Sequence, residues 1–244
     1  MPVEVVIAPY GRAAAQALHD AVAAHKGNDP LAPVTVVVPT NAVGVTARRL
    51  LASGVLGPVS EGSLGVAAVT FVTVYRLAEL LGAARLAAGG RRPVSTPVLA
   101  AAVRQVLAQH PGMFAAVAEH PATERALVEA SRELAQCDDD ALDALRRSGR
   151  RSAEVVRVVR AARRRLAPAW FDERDLIDTA TDAVARGEAT VLADLGAIVV
   201  YLPQELTAPA VRLLHAIATV APVTVLVGAS GVARADAPVR AAVD

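Results

Sequence analysis

The sequence contains few of the residues on which several common classes of protein depend. Of its 244 residues one is cysteine, Cys137, which excludes an internal disulfide and a cysteine-based zinc site and agrees with a reducing compartment. Aromatic residues make up only 3%, and no apolar run is long enough to span a bilayer. The N-terminus lacks the basic segment and uninterrupted apolar stretch of a secretory signal. We therefore expect a soluble, cytoplasmic protein without membrane partners.

The sequence also lacks an excess of charge of either sign. The 25 basic and 24 acidic residues leave a formal net charge of +1, so no global field attracts nucleic acid or anionic lipid. Any basic surface must be local. Every basic residue except Lys26 is an arginine, which matters for phosphate binding because a lysine is the usual cation of a phosphate loop.

Five short runs rich in β-branched residues stand out, at 3–8, 34–39, 66–71, 197–201 and 223–228. Amphipathic segments alternate with these runs, and Thr207 is placed to cap the helix between the last two. Alternating strands and helices predict an α/β fold with a parallel sheet flanked by helices. An unrelated doubly wound domain remains an alternative at this level of description.

The alternation is interrupted by residues 91–169, where the pattern is helical and shows no strand. We expect an inserted all-helical subdomain there, within a core domain formed by 1–90 and 170–231, followed by a tail or the start of a further region at 232–244. Within the insertion, Asp138, Asp139 and Asp140 directly precede a helix, which favours capping over metal binding. The five histidines show no metal-ligand spacing.

The turn after the first strand has the position of a phosphate loop but not its residues. Against the pattern A-x-x-G-x-G-K-T, Ala8 and Gly11 match, whereas the second glycine, the lysine and the threonine are replaced by Ala13, Ala14 and Ala15. Arg12 lies beside the turn, but a guanidinium lacks the compact head of a lysine. Lys26, the only lysine, lies well past the turn.

The order of segments resembles the superfamily 1 helicases of the UvrD type, and most of all the degenerate N-terminal region of the B subunit of AddAB-type (RexAB-type) helicase-nucleases. VTVVVPTNAVGVTARRLLA resembles motif Ia, and VTFVTVYRLAELL resembles the segment written around T-F-H-S-F-A. FDERDLIDTATDAV resembles the D-F-D-D-L stretch after the family's inserted subdomain. VTVLVGASG resembles V-V-G-D-x-x-Q, with Ala229 in place of the aspartate. The resemblance implies a RecA-like (P-loop-type) sheet.

AIVVYLPQELTAPAVRLL resembles the Walker B region, V-V-D-E-x-Q-D-L-T-P, with Tyr201 and Leu202 in place of its two acids. The resemblance thus implies a degenerate nucleotide site without ATPase activity, cofactor or metal. Its residues are Gly11, Arg12, Ala13, Ala14, Ala15, Tyr201, Leu202, Gln204 and Glu205. No PD-(D/E)XK nuclease motif is present in the sequence. We expect the chain to be the N-terminal portion of a longer nuclease protein, or a stand-alone remnant.

The resemblance also implies a function: a catalytically inactive module that binds DNA and acts as a scaffold beside a motor helicase-nuclease subunit in DNA repair or recombination. The loops after strands two and three would contact single-stranded DNA or a duplex end. The candidate contact residues are Thr40, Asn41, Arg48, Arg49, Thr73, Tyr75 and Arg76. Packing against the following helix is the alternative role of Tyr75.

A cationic helix face in the inserted segment is a second candidate for contact with DNA. Arg157, Arg160 and Arg164 share one side of a helix, opposite an apolar side. The alternative is a solvated face whose charge is balanced by nearby carboxylates, among them Asp143 and Glu154.

The rival function belongs to another class, an α/β enzyme or a small-molecule-binding protein. Its pocket would lie at the carboxyl ends of the strands, near Pro9, Tyr10, Thr40, Asn41 and Gln204. The sequence shows no pair of nucleophile and base to serve such an enzyme.

Overall fold

The structure is a computed structural model that describes residues 3–59, 65–204 and 206–241. Contacts divide the chain into two compact units. Unit 1 comprises Met1–Ala83 and Ile177–Asp244, and unit 2 comprises Ala84–Leu176. The sequence pattern predicts the helical segment at 91–169, so unit 2 takes in seven more residues at each end.

The elements alternate as the sequence pattern predicts outside the helical segment. The strands are β1 (Glu4–Pro9), β2 (Val34–Val37), β3 (Val69–Val72), β4 (Arg92–Pro93), β5 (Trp170–Phe171), β6 (Ala197–Tyr201) and β7 (Val223–Ala229). The α-helices are α1 (Arg12–Lys26), α2 (Asn41–Ala52), α3 (Val74–Ala88), α4 (Thr96–Gln109), α5 (Pro121–Glu133), α6 (Asp139–Arg147), α7 (Arg150–Leu166), α8 (Glu173–Ala185), α9 (Leu192–Leu195), α10 (Ala208–Ala218) and α11 (Ala233–Ala241). Short 3₁₀ helices span Gly112–Val117 and Leu134–Gln136.

Unit 1 contains a five-stranded sheet in the order β1-β7-β6-β2-β3, and all its strand pairs are parallel. The α/β class predicted from the sequence is therefore confirmed. The strands are close to the five β-branched runs. β3 begins only at Val69, three residues later than predicted, because Ala68 has a φ of 49°, which is left-handed rather than extended.

Helices α1 and α2 pack on one face of this sheet around an apolar cluster. Leu18 and Val22 of α1 are buried there against Val36 of β2, Val199 of β6 and Leu226 of β7. All four residues of β2 are buried, which explains the uninterrupted run of β-branched residues: a parallel strand covered on both faces has no polar side. We call this group the sheet cluster.

Glu4, Thr224 and His25 form a polar link between the sheet and the end of α1. The Nε2 atom of His25 lies 3.0 Å from Oγ1 of Thr224, which donates to Oε2 of Glu4 at 3.3 Å. The sequence pattern did not predict this histidine and hydroxyl pair. Because Thr224 is only 2% exposed and Glu4 contacts the threonine rather than the imidazole, the arrangement is a structural link and not a nucleophile with its base.

Unit 2 has its own apolar core, formed by three helices. Val103 and Leu107 of α4 pack with Leu127 of α5 and with Val158 and Ala162 of α7. The preceding helix, α6, begins as the sequence predicts, because Oδ1 of Asp138 accepts the Ala141 N–H at 2.7 Å.

A short parallel pairing of β4 with β5 brings the two ends of unit 2 together. Arg92 N–H donates to Ala169 O at 2.9 Å, and Val94 N–H donates to Phe171 O at 2.8 Å. The prediction of a segment without strands is therefore wrong at Arg92–Pro93. A two-residue strand carries no detectable periodicity, so its partner is visible only in the folded chain.

None of the helices in the described ranges combines the length and the apolar character that crossing a bilayer requires.

The core of unit 2 can be tested with two valines that differ in burial. Val103 is fully buried, whereas Val117 is 47% exposed. We expect Val103→Ala to lower the free energy of unfolding by about 2 kcal/mol, through lost burial and a residual cavity, and Val117→Ala to lower it by less than about 0.5 kcal/mol. Urea denaturation followed by circular dichroism measures both. Equal losses would show that Val103 is not part of a packed core.

The polar link predicts a dependence of stability on pH. Burial lowers the pKa of His25 from its ordinary value of 6.5, and the Glu4 carboxylate opposes that shift. The unfolded chain therefore binds a proton at higher pH than the folded chain does. Neutral His25 therefore makes its full contribution to the free energy of unfolding above about pH 6.5. That contribution is lost as the pH falls from about 6.5 through the lowered pKa of the folded state.

His25→Gln keeps a hydrogen-bonding side chain and removes the titration. We expect the difference in urea midpoint between the wild type and this variant to shrink or reverse between pH 7.5 and pH 5. If the two midpoints fall in parallel over that interval, the imidazole is not held in its neutral form.

Candidate functional site

The turn between β1 and α1 is short and leaves no loop around a phosphate. Only Tyr10 and Gly11 separate the strand from the helix, which begins at Arg12. Gly11 has φ 86° and ψ −133°, a conformation that side chains disfavour, and this allows the immediate reversal. The Tyr10 ring lies on the backbone of β7: a Cβ built on Gly228 would stand 2.3 Å from Tyr10 Cε1. The space above β7 is therefore filled by an aromatic ring.

The three alanines after Arg12 differ in exposure, and this decides what the turn can bind. Ala13 and Arg12 are exposed. Ala14, at the lysine position of the phosphate-loop pattern, is 1% exposed and belongs to the sheet cluster. Ala15, at the threonine position, is 6% exposed. Side chains at these two positions point into protein rather than toward a ligand.

Tyr201, the last residue of β6, belongs to the same sheet cluster and is 7% exposed. Burial raises the pKa of its phenol, so the side chain is neutral where a Walker B carboxylate would be charged. Leu202 packs against this cluster too and has a φ of 49°, rare for a residue other than glycine. Gln204 is exposed. Glu205 lies outside the residues that the structure describes.

The only lysine of the sequence is used in the structure itself. Lys26 is 3% exposed, and its Nζ donates to the carbonyl oxygens of Pro30 and Ala32, each at 2.8 Å. Burial lowers its pKa, an effect that the Asp29 carboxylate opposes. Lys26 is therefore committed to closing the loop that follows α1.

A different chemistry is found at the carboxyl ends of β2 and β3, which pair with each other. Each strand is followed by a threonine that caps the next helix. Oγ1 of Thr40 accepts the Val43 N–H at 3.3 Å, and Oγ1 of Thr73 accepts the Arg76 N–H at 3.2 Å. Since neighbouring parallel strands end at one edge, the N-termini of α2 and α3 face the same side of the sheet. We call this region the threonine edge.

Asn41, Tyr75 and Arg76 complete the threonine edge. All three are exposed, Tyr75 to 38%. Arg76 forms an ion pair with Glu79 at 2.9 Å on the outer side of α3, with its own side chain 59% exposed. The edge therefore offers hydroxyls, an amide, one aromatic ring and one accessible guanidinium.

Arg48 and Arg49 do not belong to this edge. They lie about two turns along α2 from its start, roughly 10 Å away for a rise of 1.5 Å per residue. Both are exposed, and the Arg48 guanidinium lies over the Phe71 ring, 5.4 Å from its centroid. They face solvent on the flank of the helix.

The three arginines predicted to form one cationic face of α7, in unit 2, are engaged differently. Arg157 donates to Glu154 at 3.0 Å, and Arg160 donates to Asp143 at 2.8 Å. These arginines lower the pKa of both carboxyls through hydrogen bonds and charge. Arg164 is exposed and makes no hydrogen bond or ion pair with any residue that the structure describes. Of the three, Arg164 alone retains an unbalanced charge.

The residues of the rival pocket do lie at one edge of the sheet. Pro9, Tyr10, Thr40, Asn41 and Gln204 each end or follow a strand. The connections leave the neighbouring strands β6 and β2 in opposite directions along the sheet. Open α/β sheets bind ligands in the crevice between two such strands. In the described part of the chain, no group of three or more His, Cys, Asp or Glu side chains is placed to hold a metal ion.

Unit 2 contains a cavity that the sequence pattern did not predict. Its volume is about 350 Å³, and α4, α5, α7 and the start of α8 surround it. Its lining residues are dispersed between Val94 and Asp175, so no local motif marks it. The one tryptophan of the sequence, Trp170, lines it.

The burial of Ala14 predicts that a phosphate-loop lysine cannot be restored by substitution. Ala14→Lys places an unpaired cation in the sheet cluster and should lower the free energy of unfolding by about 3 kcal/mol or more. Ala13→Lys, one residue earlier and exposed, should change it by less than about 0.5 kcal/mol. Urea denaturation of the two variants makes the comparison.

Neither variant nor the wild type is expected to hydrolyse ATP, with or without DNA, and ATP with magnesium should leave the wild-type melting temperature unchanged. A phosphate-release assay and a thermal melt measure these outcomes. DNA-stimulated turnover above the buffer control would contradict this account of the turn and of β6.

The two parts of the sheet edge thus have opposite character. The ends of β1 and β6 are closed by alkyl and aromatic side chains, whereas the ends of β2 and β3 are open and polar. No protein-family model matches the sequence, and no curated protein matches it either.

Proposed function

We propose that this chain is a helicase-like module that binds DNA and acts as a scaffold but has no motor activity. It would serve in a DNA repair or recombination helicase-nuclease of the AddAB type. One observation supports this above all: Ala14 and Tyr201, at the positions of the Walker A lysine and a Walker B acid, are buried in the same apolar cluster. Neither of these two side chains can serve as a ligand for a nucleotide phosphate or its magnesium ion.

The order of strands supports a RecA-like interpretation of the sheet. In RecA-like domains one strand separates the strand before the phosphate turn from the Walker B strand. Here β7 lies between β1 and β6, and β2, which carries the motif Ia-like segment, adjoins β6 on its other side. On this interpretation unit 2 is the inserted helical subdomain of the family.

The threonine edge is the proposed contact for single-stranded DNA. Hydroxyls, amides and the N–H groups of helix N-termini suit phosphate oxygens, and Tyr75 supplies an aromatic face for a base. Because Arg76 is its one guanidinium and is paired with Glu79, few counterions are released and binding is weak. Arg164 of unit 2 adds an independent cationic contact.

A module of this kind needs a partner for catalysis. With no ATP bound at the sheet edge, translocation would come from a motor helicase-nuclease subunit, and this chain would hold DNA beside it. Sequence-independent contact through the backbone fits that role, because a strand moved by a motor presents every sequence in turn.

The DNA proposal is tested by replacing one arginine of the threonine edge. In fluorescence anisotropy with a labelled single-stranded oligonucleotide, Arg76→Gln should weaken binding similarly for all sequences and reduce the slope of log affinity against log salt by about 0.7, the value for one phosphate contact to single strands. Tyr75→Ala should cost about 1–3 kcal/mol of binding if a base stacks there.

Arg186→Gln is the matched control. Arg186 is 50% exposed and pairs at 3.1 Å with Asp182 of the preceding helix, α8, four residues earlier. This resembles the pair of Arg76 with Glu79, but Arg186 is far along the chain from the threonine edge. It should bind DNA like the wild type. If Arg76→Gln and Arg186→Gln weaken binding equally, DNA binding depends on the overall charge of the chain and not on the threonine edge. No binding at 25 mM salt, roughly the low end for such assays, would reject the proposal in favour of a small-molecule pocket.

A further inference from the structure

The cavity of unit 2 has a size and lining typical of a small-molecule site. Its volume of about 350 Å³ lies in the range of ligand pockets, at roughly 300–1,000 Å³. One part of the wall is apolar, formed by Leu99, Val159, Leu166 and Phe171 with the Trp170 side chain. The remainder includes small and hydroxyl-bearing residues together with four arginines and three aspartates. A pocket that combines an apolar wall with convergent charges selects amphipathic ligands.

The carboxylates of the lining are held by cations that lie outside it. Asp175 binds Arg91 at 2.5 Å, and Asp139 lies 3.6 Å from Arg160. Neither arginine lines the cavity. The charge of Asp175 is therefore balanced from outside the cavity, whereas Arg160 is shared between Asp139 and Asp143.

Four arginines line the cavity, and Arg174 among them donates to the Cys137 carbonyl oxygen. The other three, in contrast to the two aspartates, donate to neutral acceptors or project into solvent. Arg132 donates to the Thr96 hydroxyl, and Arg163 donates to the Leu134 carbonyl oxygen. Arg164 is exposed and has no partner among the described residues. The lining thus carries four arginines against three aspartates, and guanidinium groups recognise phosphate through paired N–H groups.

The third carboxylate, Asp172, lies in a buried position that disfavours its charged form. Burial raises the pKa of its carboxyl, and hydrogen bonding from the Asp175 backbone and the charge of Arg163 oppose that shift. Its Oδ1 accepts the Asp175 N–H at 2.9 Å, so it caps α8. An asparagine would cap the helix equally well and remove the charge.

We propose that this cavity binds a phosphomonoester of about nucleotide size, with the phosphate held by the lining guanidinium groups and the ring against the apolar wall that contains Trp170. The site lies entirely within unit 2 and is independent of the threonine edge. A free nucleotide and the 5′-phosphorylated end of a DNA strand both carry this chemistry.

The single tryptophan makes the proposal measurable in the intact chain. Trp170 fluorescence should change saturably when AMP is added at low salt. Adenosine, which lacks the phosphate, should bind at least about tenfold more weakly, the loss expected for a charge-assisted contact. Inorganic phosphate should compete with AMP. No saturable change with AMP, or equal binding of adenosine, overturns the proposal.

Two substitutions on α7 distinguish binding of AMP in the cavity from non-specific attraction by positive charge. Arg164→Glu should weaken AMP binding by about tenfold or more, whereas Arg165→Glu should leave it within about twofold. Arg165 is the next residue, exposed and bonded to Gln109 at 3.1 Å, and it does not line the cavity. Asp172→Asn should tighten AMP binding. Equal weakening by the two arginine variants overturns the proposal.

A last comparison identifies the source of the phosphate. A short oligothymidylate with a 5′-phosphate is titrated beside the same oligonucleotide with a 5′-hydroxyl and beside dTMP. In the Arg76→Gln variant, tighter binding of the phosphorylated oligonucleotide than of both the 5′-hydroxyl oligonucleotide and dTMP assigns the site to DNA ends, and binding of the phosphorylated oligonucleotide no tighter than that of dTMP assigns it to free nucleotides. Arg76→Gln should leave the AMP and dTMP titrations unchanged, so failure here is distinguishable from failure of DNA binding at the threonine edge.

Discussion

The apolar contact between α1 and the sheet is the constraint on which the chemistry of unit 1 depends. Ala14 brings no side chain beyond its methyl group, and Tyr201 fills the sheet cluster from the end of β6. Burial of such apolar surface stabilises a fold by about 25 cal/mol per Å², whereas an ionised lysine or carboxylate at the same points loses its hydration without a partner. With these residues in place, packing opposes a lysine at position 14 or a carboxylate at position 201.

The polar ends of β2 and β3 do not depend on the side chains at the ends of β1 and β6. In a parallel α/β sheet, the helix after each strand begins at the same edge, whatever the side chains of β1 and β6 are. The capping hydroxyls of Thr40 and Thr73 depend on α2 and α3 alone. The polar groups at the ends of β2 and β3 are therefore independent of the apolar contacts that close the ends of β1 and β6.

Local patterns in the sequence predict most of unit 1 because its helices are amphipathic and the central strands β2, β6 and β7 are buried on both faces. The runs around Val36 and Val199, and the caps Thr207 and Asp138, follow from periodicity and from hydrogen bonds over three residues. The β4-β5 pair and the cavity depend on residues far apart in the chain, such as Arg92 and Trp170, whose guanidinium and ring lie 4.8 Å apart. Such contacts leave no local signal.

The ion pairs of the arginines likewise depend on contacts that local sequence patterns predict only in part. They also determine where the chain can bind anions. The pairing of Arg157 with Glu154 follows from their spacing of three on a helix, but that of Arg160 with Asp143 joins two helices and is invisible in the sequence. Pairing of this kind balances part of the cationic surface, and the net charge of the whole chain is only +1. An anion is therefore not attracted by a broad field but bound where a guanidinium lacks a carboxylate, as Arg164 does. Specific positions, rather than the abundance of arginine, determine where phosphate can bind.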